Sequence, residues 1–122
     1  MNIDHLIKEG SRILKEQNIF SHQIDSELLL SKIIKKDRVF ILTNGNYVLP
    51  SKEISDYLNI ISRRQKHEPI AYITKKKEFW SLDLEVDNNV LIPRPETEII
   101  VEQVVKKFKG NSGLNILDIG TG

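Results

Sequence analysis

Apolar residues return at three- and four-residue intervals through the first half of the chain. Ile3, Leu6, Ile7, Ile13 and Leu14 share one stripe, and Asn2 can cap their amino end, so the spacing predicts an amphipathic helix to about Glu16. Gly10 is expected to weaken it modestly. A second helix follows Ser21 and ends near Lys36, with Ile24, Leu28, Leu29, Ile33 and Ile34 on its buried face and Leu30 flanking. Asp37 caps a short helical turn through Val39 to Leu42, and Thr43-Asn44-Gly45-Asn46 reads as a turn. Pro50-Ser51 opens a helix toward Lys66 carrying Ile54, Tyr57, Leu58 and Ile61, and Pro69 opens a last short one through Ile73. Short connections of this kind join neighbouring helices in a bundle.

From Phe79 the period falls to two. Trp80, Leu82, Leu84 and Val86 alternate with Ser81, Asp83 and Glu85, Asp87-Asn88-Asn89 supplies a turn, and Val90 to Ile92 returns, which predicts a hairpin over Phe79 to Ile92. Pro93 and Pro95 hold Ile92 and Arg94 out of helix. Pro95 suits a first helical position, Glu96 and Glu98 favour the positive end, and Ile100, Val101, Val104, Val105 and Phe108 form the expected buried face, with Gly110 as carboxyl cap. Leu114 to Ile119 reads as a buried strand that runs into Gly120-Thr121-Gly122.

Hydrophobic residues at 39% and charged residues at 29% of 122 exclude a disordered tail and leave a chain able to bury a core. Eighteen Lys and Arg against seventeen Asp and Glu leave a net charge of +1, so any attraction for nucleic acid must be local, and direct nucleic-acid binding is not expected. Lys35-Lys36 with Arg38, Arg63-Arg64 with Lys66, and Lys75-Lys76-Lys77 could form a basic surface, but solvated helix ends are the simpler reading. Phe79 and Trp80 read as hairpin core before nucleobase platforms. With no cysteine there is neither a disulfide framework nor a thiolate metal site. His5, His22 and His67 read as surface residues without a Ser or Asp partner, so neither a metal centre nor a hydrolase site is expected. The amino terminus has no uninterrupted apolar run, so no membrane span is expected, and the cytoplasm is the expected location.

Two segments carry chemistry. A strand ending in Asp118-Ile119-Gly120-Thr121-Gly122 has glycines where a backbone must approach a nucleotide-like ligand closely, a signal shared with dinucleotide folds. Leu91-Ile92-Pro93-Arg94-Pro95-Glu96-Thr97-Glu98 is sharper: two prolines around an arginine make a rigid elbow that fixes Arg94 and Glu96 in space.

With Glu68-Pro69-Ile70-Ala71-Tyr72-Ile73 and Glu78-Phe79-Trp80, these segments stand in the order and spacing of the protein-(glutamine-N5) methyltransferases. The chain resembles the amino-terminal part of the release factor glutamine methyltransferase family, HemK or PrmC, with looser matches at Asp25 to Leu30 and Arg63-Arg64. The resemblance implies a mainly α chain. Residues 1–74 would be a helical substrate-recognition domain and 75–94 a β-hairpin with a Pro-rich linker. Residues 95–122 would supply the first helix and strand of a truncated class I, Rossmann-like α/β methyltransferase domain. It implies S-adenosyl-L-methionine as cofactor, class 1 peptide chain release factors as partners, and Gly120, Thr121 and Gly122 as the cofactor contacts, with Asp118 ordering the turn. The family's Asn-Pro-Pro-Tyr motif, which grips the target glutamine, does not occur in these residues, so no catalytic residue is assigned and the chain alone is expected to be inactive with very weak cofactor affinity. A stand-alone helical protein- or RNA-binding module and an adenine-N6 nucleic-acid methyltransferase stay open as alternatives.

Overall fold

The structure, a computed structural model, describes residues 1–122 and is mainly helical. It divides into two compact units, Met1–Thr74 and Lys75–Gly122.

In the first unit α1 (Ile3–Glu16), α2 (His22–Ile34) and α4 (Ser51–Gln65) pack on one another, while α3 (Arg38–Thr43) and α5 (Ile70–Thr74) lean on α2. The start of α1 leaves few donors without partners. Asn2 accepts from the His5 N–H at 2.9 Å, and the Ile3 and Asp4 N–H groups donate to the carbonyls of Tyr47 and Gly45, each at 3.0 Å. At its other end Asn18 takes φ +59, and the Ile19 N–H reaches back to the Leu14 carbonyl while that of Asn18 reaches Lys15. This six-to-one closure turns the chain so that Ile19 is buried near Leu14. Asp37 caps α3 through the Phe40 N–H at 2.8 Å.

Ile3, Leu6, Leu14, Leu29, Leu30, Ile41, Tyr57, Ile61 and Ile73 are almost wholly buried, and full burial of such a side chain contributes roughly 1.5–3 kcal/mol. The buried face of α2 differs from the one its apolar spacing predicts. Ile24 and Leu28 are exposed, and Asp25, Ser26 and Glu27 go inside beside Leu29 and Leu30. Those three polar groups can go inside because partners on other elements satisfy them, as described below. Gly10 also has a role that helix propensity does not suggest: a Cβ there would overlap the Tyr57 hydroxyl and lie 2.8 Å from Ser26 Oγ. Its lack of a side chain lets α1 meet α2 and α4 closely.

In the second unit β1 (Lys76–Phe79) and β2 (Leu82–Glu85) form an antiparallel hairpin in which Lys76 faces Glu85 and Phe79 faces Leu82. Its turn is Trp80-Ser81, with φ of +51 and +57, the backbone sign of a type I′ turn. The expected hairpin over Phe79 to Ile92 is therefore corrected. Asp87-Asn88-Asn89 does turn the chain, closed by the Asp87 carboxylate on the Asn89 N–H at 2.8 Å, but it follows β2 and Val90 to Ile92 form no strand. A 3-10 turn (Pro95–Thr97) then leads into α6 (Glu98–Phe108), with Arg94 extended before Pro95, and Gly110 takes φ +84 just past the helix end.

Two further expectations are revised. No residue of α6 is buried: Ile100, Val104, Val105 and Phe108 are exposed to different degrees. Leu114 to Ile119 is not a strand, since a ladder needs a neighbour to exchange hydrogen bonds and β1 and β2 pair only with each other. Ile116, Leu117 and Ile119 are accordingly exposed.

Candidate functional site

The helical unit holds a row of buried polar groups on α2, each answered by at least one partner on another helix. Asp25 accepts from Arg64 Nε of α4 at 2.8 Å and from Ser21 Oγ at 2.9 Å. Ser26 Oγ donates to the Ile7 carbonyl at 3.0 Å and lies 2.6 Å from the Tyr57 hydroxyl. Glu27 pairs with Arg38 Nε at 2.7 Å and accepts from Gln23. Every buried side-chain nitrogen and oxygen has a partner. Tyr57 also approaches the Leu6 carbonyl at 3.2 Å. Two hydroxyl protons thus face three contacts, and the distances favour a relay from Tyr57 to Ser26 to the Ile7 carbonyl.

Arg64 reaches further. Its Nη1 donates to the Glu68 carbonyl at 3.0 Å, while Arg63 grips the Glu68 carboxylate through Nε at 2.9 Å and Nη2 at 2.6 Å. The Arg63 hydrogen bonds hold the Glu68 carboxyl below its ordinary range. Both faces of Glu68 are thereby engaged at the loop that turns α4 into α5, so the Glu68-Pro69 step sets the chain's direction there. The reading of the basic runs as solvated helix ends is corrected in part: Arg64 is largely buried against Asp25 and Lys76-Lys77 lie in a strand, while Arg38 and Arg63, about half exposed, pair with Glu27 and Glu68. His22 also departs from expectation, since it is half-buried with Nδ1 2.7 Å from Ser11 Oγ.

Burial pushes the Tyr57 hydroxyl up to about 12, against the smaller opposing effect of its Ser26 hydrogen bond. A raised folded-state value means that the neutral phenol's stabilisation is complete below pH 10, the ordinary tyrosine value, and is lost as pH rises through about 12. Urea midpoints followed across that window should fall more steeply for the native chain than for Tyr57→Phe. Parallel profiles would show that the phenol does not ionise on unfolding.

In the second unit the elbow places Arg94 and Glu96 in the open, both exposed. Glu98 is half-buried, and its Oε1 accepts the Trp80 backbone N–H at 2.7 Å. Gly120, Thr121 and Gly122 are exposed, with φ of +80 and +86 at the two glycines and nothing within 4 Å of where a Cβ would stand. Asp118 is exposed too. Neither hydrogen bonds nor ion pairs join the glycine turn to the elbow. No group of three or more His, Asp or Glu side chains is arranged to hold a metal ion. The structure thus brings together the buried row of α2 and its arginines, which sequence spacing did not reveal: Arg64 is 39 positions from Asp25.

Fold and site define a small helical domain with an ion-paired core, followed by a separate hairpin-and-helix unit. The chain belongs to the PrmC N-terminal domain family, whose match covers residues 5–74. It is 43% identical over its whole length to a release factor glutamine methyltransferase of Clostridium botulinum, and 47% identical, again over its whole length, to one of Buchnera aphidicola subsp. Acyrthosiphon pisum. A third, from Clostridium acetobutylicum, is 44% identical over 119 residues, 98% of the chain. The chain spans 43%, 43% and 41% of the lengths of these relatives, respectively.

Proposed function

We propose that this chain supplies the substrate-recognition domain and the opening of the catalytic domain of an S-adenosylmethionine-dependent methyltransferase. Its substrate is the glutamine side-chain amide in the Gly-Gly-Gln motif of class 1 peptide chain release factors. The observation that carries this reading is the 43–47% identity, along the entire chain, to proteins named release factor glutamine methyltransferase. Residues 1–74 are the recognition domain, 75–94 the hairpin and linker, and 95–122 the start of a Rossmann-like domain. The open apolar side of α6 and the exposed Ile116, Leu117 and Ile119 support that last assignment, because a helix and strand of this type gain their burial by joining a sheet.

Gly120, Thr121 and Gly122 are the proposed cofactor contacts. The left-handed backbone at Gly120 and Gly122 fits a turn pressed against a ligand, since no Cβ stands between main chain and nucleoside. The cofactor supplies a methyl group on a sulfonium centre. An amide nitrogen is a poor nucleophile because its lone pair is delocalised, so catalysis must come from holding it in line with that methyl group. In the family that grip belongs to Asn-Pro-Pro-Tyr, which these residues lack, and the chain alone is therefore inactive with very weak cofactor affinity. We place the protein in the cytoplasm with its substrate; no helix is long and apolar enough to cross a membrane.

The decisive experiment gives the complete protein methyl-labelled cofactor with a class 1 release factor, with the same factor carrying alanine for the Gly-Gly-Gln glutamine, and with DNA. Label should enter the unaltered release factor alone. Labelling of DNA only would replace this reading by the adenine-N6 one, and no transfer to any of them would leave a binding module.

A further inference from the structure

Within the second unit a single polar contact joins the hairpin tip to the start of α6. The Trp80 N–H, at the first central position of the turn, points away from the β1–β2 ladder and donates instead to Glu98 Oε1 at 2.7 Å. The turn itself is unfavourable by composition. Positive φ at both central positions suits Asn-Gly or Gly-Gly, yet here Trp80 and Ser81 take +51 and +57, each with a Cβ crowded against its own backbone. Such a turn persists when something outside it favours that geometry.

We propose that Glu98 is a latch: its carboxylate selects the Trp80-Ser81 turn and fixes the hairpin tip to the end of the proline elbow. Glu98 is a positioning residue for the hairpin and not simply an acidic side chain at a helix start. Glu96 marks the difference. It lies two residues earlier in the same charged helix opening, yet it is exposed and its side chain holds no partner, whereas Glu98 is half-buried on the Trp80 amide. The inference rests on these contacts and is independent of the methyltransferase reading.

Trp80 is the only tryptophan in the chain, so indole anisotropy reports the hairpin tip without labelling. Amide hydrogen exchange by NMR reports the Trp80 N–H and the ladder separately. In the 122-residue chain, Glu98→Ala should speed Trp80 amide exchange by about ten-fold or more and lower the anisotropy, as expected for losing a hydrogen bond to a charged acceptor. Glu98→Gln, which keeps an acceptor oxygen, should retain part of the protection, and Glu96→Ala should change neither reading. Adding Ser81→Gly to Glu98→Ala should restore protection of the ladder amides but not of Trp80, because glycine adopts the left-handed geometry without help. Equal effects from Glu96→Ala and Glu98→Ala would overturn the latch, as would unchanged Trp80 exchange in Glu98→Ala. Should Glu98→Ala unfold the unit, the other two variants decide: complete exchange of the ladder in both Glu98→Gln and the double variant overturns it as well.

Discussion

Replacing Arg64 by alanine is expected to destabilise the helical unit by about 3–5 kcal/mol, read as a fall in the urea midpoint. The cost does not measure the worth of the ion pair. Asp25 is 3% exposed, and its Oδ2 is held by Arg64 and Ser21 only. Without the guanidinium, a carboxylate remains inside the bundle with one hydroxyl donor and no counter-charge. The same change releases the Glu68 carbonyl, which Arg64 holds at 3.0 Å, so the step from α4 to α5 loosens together with the core. Removing both partners separates the two contributions. Asp25→Ala with Arg64→Ala should recover about 2 kcal/mol relative to the sum of the single changes, because no orphaned charge is left. Arg63→Ala serves as the comparison: its pair with Glu68 is largely solvated, and its loss should cost no more than about 1 kcal/mol. If Arg63→Ala and Arg64→Ala were equally mild, the buried pair would not be holding α2 to α4.

Helix stripes and caps were legible in the sequence because they depend on neighbours a few positions away. Asn2, Asp37 and Pro50 stand at the amino ends of α1, α3 and α4, and the elbow at Pro95 opens a helical segment. What escaped depends on distance along the chain or on unusual backbone. Asp25, Ser26 and Glu27 read as a polar face when their partners Arg64, Tyr57 and Arg38 are unknown, so the spacing places Leu29, Ile33 and Ile34 on the core side correctly but puts Ile24 and Leu28 there in place of the polar three. The hairpin turn was displaced because Trp-Ser carries no turn signal, whereas Asp87-Asn88-Asn89 does and forms a turn of its own after the strands. Leu114 to Ile119 has the composition of a buried strand, but composition cannot supply the neighbour that makes one. The exposed glycine turn and the elbow were legible as motifs, and the Glu98 contact with Trp80 was not, since a side-chain bond to a backbone amide leaves no mark on spacing.

Gly10→Ala reverses the usual expectation for a glycine within a helix. On propensity alone it would stabilise α1 by about 1 kcal/mol. Instead a net loss of about 2–4 kcal/mol is expected, because the added methyl group overlaps the Tyr57 hydroxyl and also crowds Ser26 Oγ and Ile61 Cδ1, at 2.8 and 3.0 Å. None of these neighbours can yield freely. Tyr57 is fully buried and hydrogen-bonded to Ser26, whose Oγ is in turn bonded to the Ile7 carbonyl, so moving the phenol breaks buried polar contacts as well as packing. Tyr57→Phe removes the atom that is overlapped first. The double variant Gly10→Ala with Tyr57→Phe should therefore be no less stable than Gly10→Ala alone, although Tyr57→Phe by itself costs about 1–2 kcal/mol. That sign of coupling distinguishes steric exclusion by the phenol from a general dislike of side chains at position 10. A Gly10→Ala chain as stable as the native one would mean that α1 can move away from α2 and α4 at little cost, and the close three-helix contact would not be what orders the buried polar row.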